Sequence, residues 1–314
     1  MYPEVVSLSN TSLEATFGVL LDQVPRLQNR QSLTELSGGI TNRNLLVATT
    51  AGKYVARISS NSSSLLSIDR ESEYQNSKIS AEIGIGAQVL DYLPGQGLLV
   101  IGYIEGRTYA AKDVSENLER IAESVRMLHS GKSFVRDFNM FEIQKSYLAI
   151  VQERGFKLPD GYMAYADKVL QIRSAMQILN DGLVPCNNDL LPGNFIDDGS
   201  KIWLIDYEYS GNNDACFELG NIWAESFLEF EKLEELVTAY YGKHRPEKIA
   251  RAWLMALVGK YGWTLWASIQ GSISELDFDF WSWGMAKYES AQREFSGAYF
   301  KKALTQVTNK TGPL

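Results

Sequence analysis

Three oxygen-bearing side chains, Asp189, Asn194 and Asp206, lie close together in the segments CNNDLLPGN and KIWLIDYEYSG. An Asp and an Asn brought together from a loop and a strand end can hold Mg²⁺ through oxygen, the ligand type that this ion prefers. Another Asp can accept the proton of a substrate hydroxyl and orient its oxygen towards a phosphorus atom. Asp and Asn are also common turn residues. However, an apolar run such as IWLI rarely ends in two acids that only cap a turn, and we favour the chemical interpretation.

Two weaker signals for phosphate binding lie upstream. Arg57 is in the strand-like run KYVARI and Glu73 is on the helix predicted next, so the pair can present a positive charge to phosphates. Gly38 and Gly39, in SGGITNRN, would let backbone N–H groups approach an anion without interference from a Cβ atom. A surface ion pair and a plain hairpin turn are the simpler interpretations. Taken alone, each signal favours the simpler one.

The elements that must position these residues fall into two groups. Short runs rich in β-branched residues fill the first ~100 residues and predict strands, interrupted by one helix near 69–83. Periodic apolar residues then predict helices, and a short hairpin within them carries Asn194 and Asp206 on its flanks. The predicted helices are 113–131, 162–179, 214–236, 246–269 and 280–304. The sequence therefore predicts an α+β protein with a β-rich part followed by a larger helical part.

Composition excludes several classes of protein. A net charge of -8 and a pI near 5.0 argue against nucleic acid as the main partner. Two cysteines make neither a disulfide framework nor a metal knuckle. No basic segment precedes an apolar run at the N-terminus, so a cytoplasmic location is expected. The apolar segment 252–269 carries Lys260 in its middle and is at the lower limit for spanning a bilayer, so we expect a buried helix and no membrane insertion.

The chain resembles the choline/ethanolamine kinase family of the aminoglycoside-phosphotransferase group, which has a protein-kinase-like fold. The motif H-x-D-x-x-x-x-N is similar to 187–194 here, and D-[FYW]-E is similar to 206–208. Further similarity extends from about residue 36 to about residue 300, in SGGITNRNLLV, YVARI, IDRESE, YIEGRT and GWTLWASIQGSISELDFDFW. The resemblance implies a bilobal fold, with a nucleotide-binding lobe at 1–103 and a catalytic and substrate-binding lobe at 104–314. It also implies ATP- and Mg²⁺-dependent phosphorylation of a small amino alcohol.

The resemblance also implies roles for individual residues. Asp189 corresponds to the catalytic base, and Asn194 and Asp206 to the metal ligands. Residues that would contact the nucleotide come from the glycine loop, the phosphate-positioning pair and the hinge that holds adenine: Gly38, Gly39, Thr41, Asn42, Arg57, Glu73 and Tyr103. Residues that would surround the substrate cation are a carboxylate and four aromatics: Glu225, Phe230, Trp263, Trp266 and Trp283.

Two departures from the family pattern concern the site. Asn187 replaces the leading His of the motif, and restoring His is expected to be tolerated unless Asn187 has hydrogen-bond partners of its own. Phe230 stands where Tyr is usual, and Trp283 replaces another pocket aromatic. Trp263 and Trp266, spaced i, i+3 on an apolar helix, would by spacing alone be core residues. The resemblance instead favours aromatic walls around a cation.

These observations favour a kinase that prefers choline to ethanolamine, because the tryptophans suit a methylated ammonium and Glu225 is the one evident acceptor. Two alternatives remain open. One is a phosphotransferase for another hydroxylated cation, such as an aminoglycoside or an amino sugar. The other is a pseudokinase, which Asn187 supports and the retention of Asp189, Asn194 and Asp206 opposes. The sequence leaves open whether the chain is a monomer or a homodimer.

Overall fold

A computed structural model describes residues 9–36, 41–59, 63–274 and 276–308 of the chain. Gly38 and Gly39, predicted to form part of the nucleotide loop, lie outside the described residues. The strands in the described part are β1 Arg30–Leu36, β2 Asn42–Thr49, β3 Gly52–Ser59, β4 Val89–Leu93, β5 Leu98–Gly102, β6 Arg107–Thr108, β7 Val184–Cys186, β8 Phe195–Asp197, β9 Ile202–Leu204 and β10 Gly211–Asn213. The helices are α1 Asn10–Leu21, α2 Arg70–Glu82, α3 Ala111–Glu116, α4 Leu118–His129, α5 Met140–Glu153, α6 Ala166–Met176, α7 Ala215–Glu225, α8 Phe230–Tyr241, α9 Pro246–Ile273, α10 Phe280–Ser296 and α11 Ala298–Thr308.

The first part of the chain forms a five-stranded antiparallel sheet in the order β1-β2-β3-β5-β4. Its alternating apolar residues meet α1 in a small core that includes Leu13, Leu45 and Val100. Arg30 on β1 fixes the helix to the sheet through an ion pair with Glu14, at 2.6 Å. The predicted β-rich first part is therefore confirmed.

The helical part is built around α9. Every residue of α9 from 248 to 270 is buried, because α5, α7, α10 and α11 pack around it. The α7–α9 approach is close enough that a Cβ atom at Gly220 would lie 2.2 Å from the carbonyl oxygen of Ala252. The apolar segment 252–269 is thus a buried helix, as expected. Among the described residues, no helix combines the length and apolar character needed to cross a membrane.

Several helix boundaries differ from those predicted. Helices α1 and α5 were not predicted, and three predicted helices are each divided in two. The predicted helix 214–236 ends at Glu225 because Phe227 adopts a left-handed conformation with φ 53°, and the predicted helix 280–304 is broken at Gly297. The predicted boundary between the lobes at 103/104 stays a prediction. Leu66 and Ile85, which precede it, belong to the core of the helical part.

Candidate active site

The structure brings Asp189 and Asn194 together in one loop, next to the turn that carries Asp206. This loop follows β7, and Asn194 ends a short 3₁₀ helix just before β8. The side-chain amide of Asn194 donates to the carbonyl oxygen of Asp189 at 2.7 Å. The amide N–H of Ile205, directly before Asp206, donates to the Asn194 carbonyl oxygen at 3.0 Å. Asp206 itself has φ 64°, a left-handed conformation that is uncommon for a residue other than Gly and clusters at functional sites.

Asn187 connects the loop of Asp189 to the turn of Asp206. Its side-chain N–H groups donate to the carbonyl oxygens of Ile205 at 3.1 Å and Asp206 at 2.9 Å. Its side-chain oxygen accepts from the backbone N–H of Asp189 at 3.0 Å. The residue is completely buried. Asn187 therefore has specific partners, and it holds the backbone positions of the other two residues relative to each other.

The loop of Asp189 is also stabilised by a buried carboxylate that the sequence analysis did not identify. Glu218 on α7 is completely buried and accepts from the backbone N–H groups of Asn187 at 2.9 Å and Asn188 at 2.6 Å. His129, at the end of α4, lies 3.4 Å from the same carboxylate. Glu218 stands in the apolar run ACFELGN, and an acid in such a context was the signal that could have revealed it.

Arg57 and Glu73 form a buried ion pair rather than a surface one. The guanidinium on β3 donates to Glu73 on α2 at 3.0 Å and to the Asp206 carboxylate at 2.6 Å. Desolvation opposes its charge, but the attraction of Asp206 and Glu73 outweighs that effect and raises the pKa of Arg57. The predicted pair thus exists, and it links the sheet to the turn that carries a predicted metal ligand.

A second set of contacts connects the sheet to the same turn. The side-chain amide of Asn42 on β2 donates to Glu208 at 2.7 Å, and Arg70 on α2 donates to Glu208 at 3.2 Å. Arg70 also donates to the side-chain oxygen of Asn42 at 2.8 Å. Asn42 is buried in these contacts, and its predicted contact with the nucleotide stays a prediction. The same holds for Tyr103, whose backbone N–H donates to the carbonyl oxygen of Lys53 at 3.3 Å.

A cavity of about 330 Å³ opens beside the Asp189 carboxylate. Its wall contains Asp189, all three predicted pocket tryptophans and the predicted Glu225. The lining residues are Thr41, Asp189, Leu191, Tyr209, Glu225, Trp263, Trp266 and Trp283. Thr41, predicted to belong to the nucleotide loop, thus lines the same cavity as the tryptophans.

The aromatic side chains of this cavity hold each other in place. The indole N–H of Trp266 donates to the hydroxyl of Tyr209 at 2.7 Å. The ring centroids of Tyr209 and Trp263 are 5.1 Å apart, and those of Trp266 and Trp283 are 5.4 Å apart. Tyr209 was missed by sequence reasoning, although it follows the D-Y-E motif directly. Phe230 lies elsewhere: it is not among the lining residues, and its ring packs against Tyr299 with centroids 5.0 Å apart.

Glu225 is paired with a lysine that the sequence interpretation did not identify. The ammonium of Lys287 on α10 donates to both carboxylate oxygens of Glu225, each at 2.5 Å. The same ammonium lies 4.1 Å from the ring centroid of Trp283. Both charged side chains are buried, with 6% of Lys287 and 5% of Glu225 exposed. Lys287 follows Trp283 by four residues on one helix and hence shares its face, a spacing that could have revealed it.

The charges around Asp189 are mostly negative. Burial raises the pKa of its carboxyl well above the usual range, and the carboxylates of Asp206, Glu208 and Glu225 act in the same direction. The ammonium of Lys287 opposes them. A cation bound beside Asp189 favours the ionised carboxylate, since an opposite charge stabilises it.

The donor set of Asn194 and Asp206 fits Mg²⁺. Both Asp206 oxygens accept from Arg57, at 2.6 and 3.2 Å, so the ion would use the remaining lone pairs of this carboxylate. The side-chain nitrogen of Asn194 donates to the backbone carbonyl oxygen of Asp189, and the side-chain oxygen is the acceptor of this amide. That oxygen accepts no hydrogen bond from any residue that the structure describes. A carboxylate and an amide oxygen are hard ligands, the kind that Mg²⁺ takes.

The chain is similar to known proteins in sequence and in fold. The family model for choline/ethanolamine kinase matches residues 33–247. The protein LicA of Haemophilus influenzae is 28% identical over 210 residues, which are 65% of this chain and 61% of that protein, less than two thirds of its length. A probable ethanolamine kinase of Arabidopsis thaliana is 25% identical over 299 residues, or 84% of this chain and 79% of that protein. A crystal structure of a choline/ethanolamine kinase family protein from Mesorhizobium loti superposes with a TM-score of 0.83 at 28% identity, covering 94% of this chain and 99% of that one. The predicted protein-kinase-like α+β fold is thereby confirmed.

Proposed function

The chain belongs to the choline/ethanolamine kinase family, and we propose that it transfers the γ-phosphoryl group of ATP to the hydroxyl of a small amino alcohol. One observation carries this proposal: the Asp189 carboxylate lines the same cavity as Trp263, Trp266 and Trp283. A substrate with a cation at one end and a hydroxyl at the other can place the cation against the indoles and the hydroxyl against the base.

The proposed reaction assigns one task to each residue near the phosphates. Asp189 accepts the proton of the substrate hydroxyl, the hydroxyl oxygen forms a bond to the γ-phosphorus, and the bond from that phosphorus to the β–γ bridging oxygen breaks. Asn194 and Asp206 would hold Mg²⁺, which when bound neutralises charge on the phosphates. The Arg57 guanidinium donates to Glu73 and to Asp206, which holds its positive charge beside the proposed Mg²⁺ ligand.

Choline is the proposed preferred substrate. A trimethylammonium has no N–H donors, and it is held by burial of its methyl groups and by attraction to aromatic faces, at about 0.5–2 kcal/mol per ring. The cavity offers three indoles and the Tyr209 ring. A primary ammonium, such as that of ethanolamine, needs acceptors in place of its lost water. Both oxygens of Glu225 already accept from Lys287.

Two features bear on the alternative functions. The cavity is walled by three indoles, which suits a small alkylated amine better than an aminoglycoside, whose many hydroxyl and amino groups need hydrogen-bond partners. Asn187 is the one feature that supported a pseudokinase, and its three hydrogen bonds hold Asp189 and Asp206 in place. The presence of Asn187 in place of the motif His is therefore compatible with an active kinase and no longer favours a pseudokinase.

The test is an assay of ADP formation by the purified protein with ATP and Mg²⁺. Choline, ethanolamine and several amino sugars are offered as acceptors, and the phosphorylated product is identified by mass spectrometry. We expect the highest kcat/KM with choline. Asp160→Asn, which changes an exposed carboxylate, is the matched control for Asp189→Asn. If no acceptor stimulates ADP formation, or if Asp189→Asn retains the activity of the control, the proposed function is wrong.

A further inference from the structure

We propose that Lys287 determines the substrate specificity of this cavity, because its ammonium neutralises Glu225 and thereby makes the cavity select a fully methylated ammonium over one that carries N–H donors. This inference rests on the proposed function and deepens it. Glu225 would otherwise be the acidic group that attracts any small cation. With Lys287 beside it, the pair has no net charge.

The geometry of the pair supports this role. The Lys287 ammonium is shared between both carboxylate oxygens of Glu225, each at 2.5 Å, so neither oxygen is left as a fully available acceptor. A bound primary ammonium would have to compete with an ammonium that is already in place and buried. A trimethylammonium makes no such demand, since it needs contact area rather than acceptors.

Lys287 cannot easily leave this position. It lies on α10, which packs tightly on α9: a Cβ atom at Gly284, one turn earlier, would lie 2.5 Å from the Cβ of Ala267. The Lys287 ammonium is also 4.1 Å from the Trp283 ring centroid, a second favourable interaction. Moving it would leave the buried Glu225 unpaired, which is costly. Lys287 therefore stays paired with Glu225, which lines the cavity.

A second buried ion pair lies next to the first. Lys260 on α9 pairs with Glu294 on α10, and its ammonium is 4.7 Å from the ring centroid of Trp223. Lys260 is close enough to Lys287 and Glu225 to interact with both charges. Each lysine therefore has its own carboxylate, and neither is a spare cation for the other pair.

The experiment removes the compensating charge and then restores neutrality. In Lys287→Gln the amide can still donate to Glu225, but the carboxylate charge is no longer balanced. We expect kcat/KM for ethanolamine to rise relative to choline, so that the choline-to-ethanolamine ratio falls by about tenfold or more, since a single charge-assisted hydrogen bond to the substrate changes affinity by that order. The double variant Glu225→Gln/Lys287→Gln has a neutral pair again. We expect its ratio to return to within about threefold of the parent.

Lys248→Gln is the matched control. Lys248 is also a buried, ion-paired lysine, on α9 with Asp181 as its partner. It lies 15 residues before Trp263, which is about 22 Å along a helix of 1.5 Å rise per residue. This control is expected to lose stability in the same way as Lys287→Gln but to keep the parent ratio. A melting curve of every variant separates loss of fold from change of preference.

Each outcome decides the inference. A folded Lys287→Gln with an unchanged ratio overturns it, and so does a double variant that loses choline binding, because Glu225 would then bind the cation directly. If Lys287→Gln does not fold, the double variant carries the test: a retained choline preference supports the inference, and a lost preference overturns it. If the parent protein prefers ethanolamine, the inference about Lys287 is wrong, but the proposed kinase activity is still supported. A parent that phosphorylates neither amine instead rejects the proposed function.

Discussion

Asn187→His tests whether the hydrogen bonds of Asn187 matter more than the usual His of the motif. The amide makes three side-chain hydrogen bonds, two as donor and one as acceptor, in a completely buried position. A neutral imidazole has one N–H donor and one acceptor. At least one backbone carbonyl, of Ile205 or Asp206, is therefore left unpaired, at about 1–3 kcal/mol. The larger ring adds about 1–3 kcal/mol of overpacking, and the total loss is about 2–6 kcal/mol.

The assay is a thermal melt combined with steady-state turnover. At about 2.1 cal/mol/K per residue, the unfolding entropy of 314 residues is about 0.7 kcal/mol/K, so the expected drop in Tm is roughly 3–9 °C. Turnover should fall at least about tenfold, because Asn187 positions the backbone N–H of Asp189 and small misplacements of a base are costly. Asn180→His, at an exposed asparagine, loses one exposed hydrogen bond from the Gly182 backbone N–H and should lower stability by no more than about 1 kcal/mol. An Asn187→His variant with an unchanged Tm and equal or higher turnover would refute this reasoning.

Three further predictions concern the base, the metal ligand and the cavity wall. Asp189→Asn should lower turnover by roughly 10²–10⁴-fold while nucleotide affinity, measured by calorimetry, stays near that of the parent; more than a tenth of parent turnover would contradict the role of a base. Asp206→Asn keeps an oxygen acceptor for Arg57 but removes the charge of the proposed metal ligand. The Mg²⁺ concentration for half-maximal activity should therefore rise. An unchanged Mg²⁺ titration would contradict the assignment of Asp206 as a metal ligand. Trp263→Leu should raise KM for choline by about 2–30-fold, equivalent to about 0.5–2 kcal/mol, and KM for ethanolamine much less. Trp253→Leu, at a buried tryptophan of the same helix, is the control. If Trp263→Leu changes KM equally for both amines, Trp263 is a packing residue and not part of the cation site.

The relative positions of the three residues proposed to act in catalysis and metal binding were predictable because these residues are close in sequence. Asp189, Asn194 and Asp206 lie on one loop and hairpin, where hydrogen bonds between near neighbours set their geometry. The partner of Glu225 was not predictable in the same way. Lys287 is 62 residues further along, and its position beside Glu225 depends on how α10 packs against α9 and α7. Pairings of this kind are set by tertiary packing, which neither periodicity nor spacing reveals.

The errors in the predicted helix boundaries also arise from features that the sequence pattern does not reveal. The predicted helix 214–236 has no proline or glycine between 221 and 236 to mark its interruption, and the break comes from the left-handed conformation of Phe227. Asn187 shows the reverse case. The family motif suggested a defect there, whereas the local contacts show an amide with a full set of partners. Its interpretation required the positions of two backbone carbonyls that only the folded chain supplies.

The way the cavity is assembled has a consequence for the divergence of such proteins. The groups proposed to act on the phosphates come from the sheet and from the loops between β7 and β10, whereas the indoles and Lys287 come from α9 and α10. These two helices form one packed hairpin at the end of the chain, almost entirely beyond the segment that matches the family model. Substitutions in that hairpin can therefore exchange one acceptor molecule for another while the phosphoryl-transfer machinery is inherited unchanged. Relatives with different acceptors are expected to differ more in this hairpin than in the turn of Asp206.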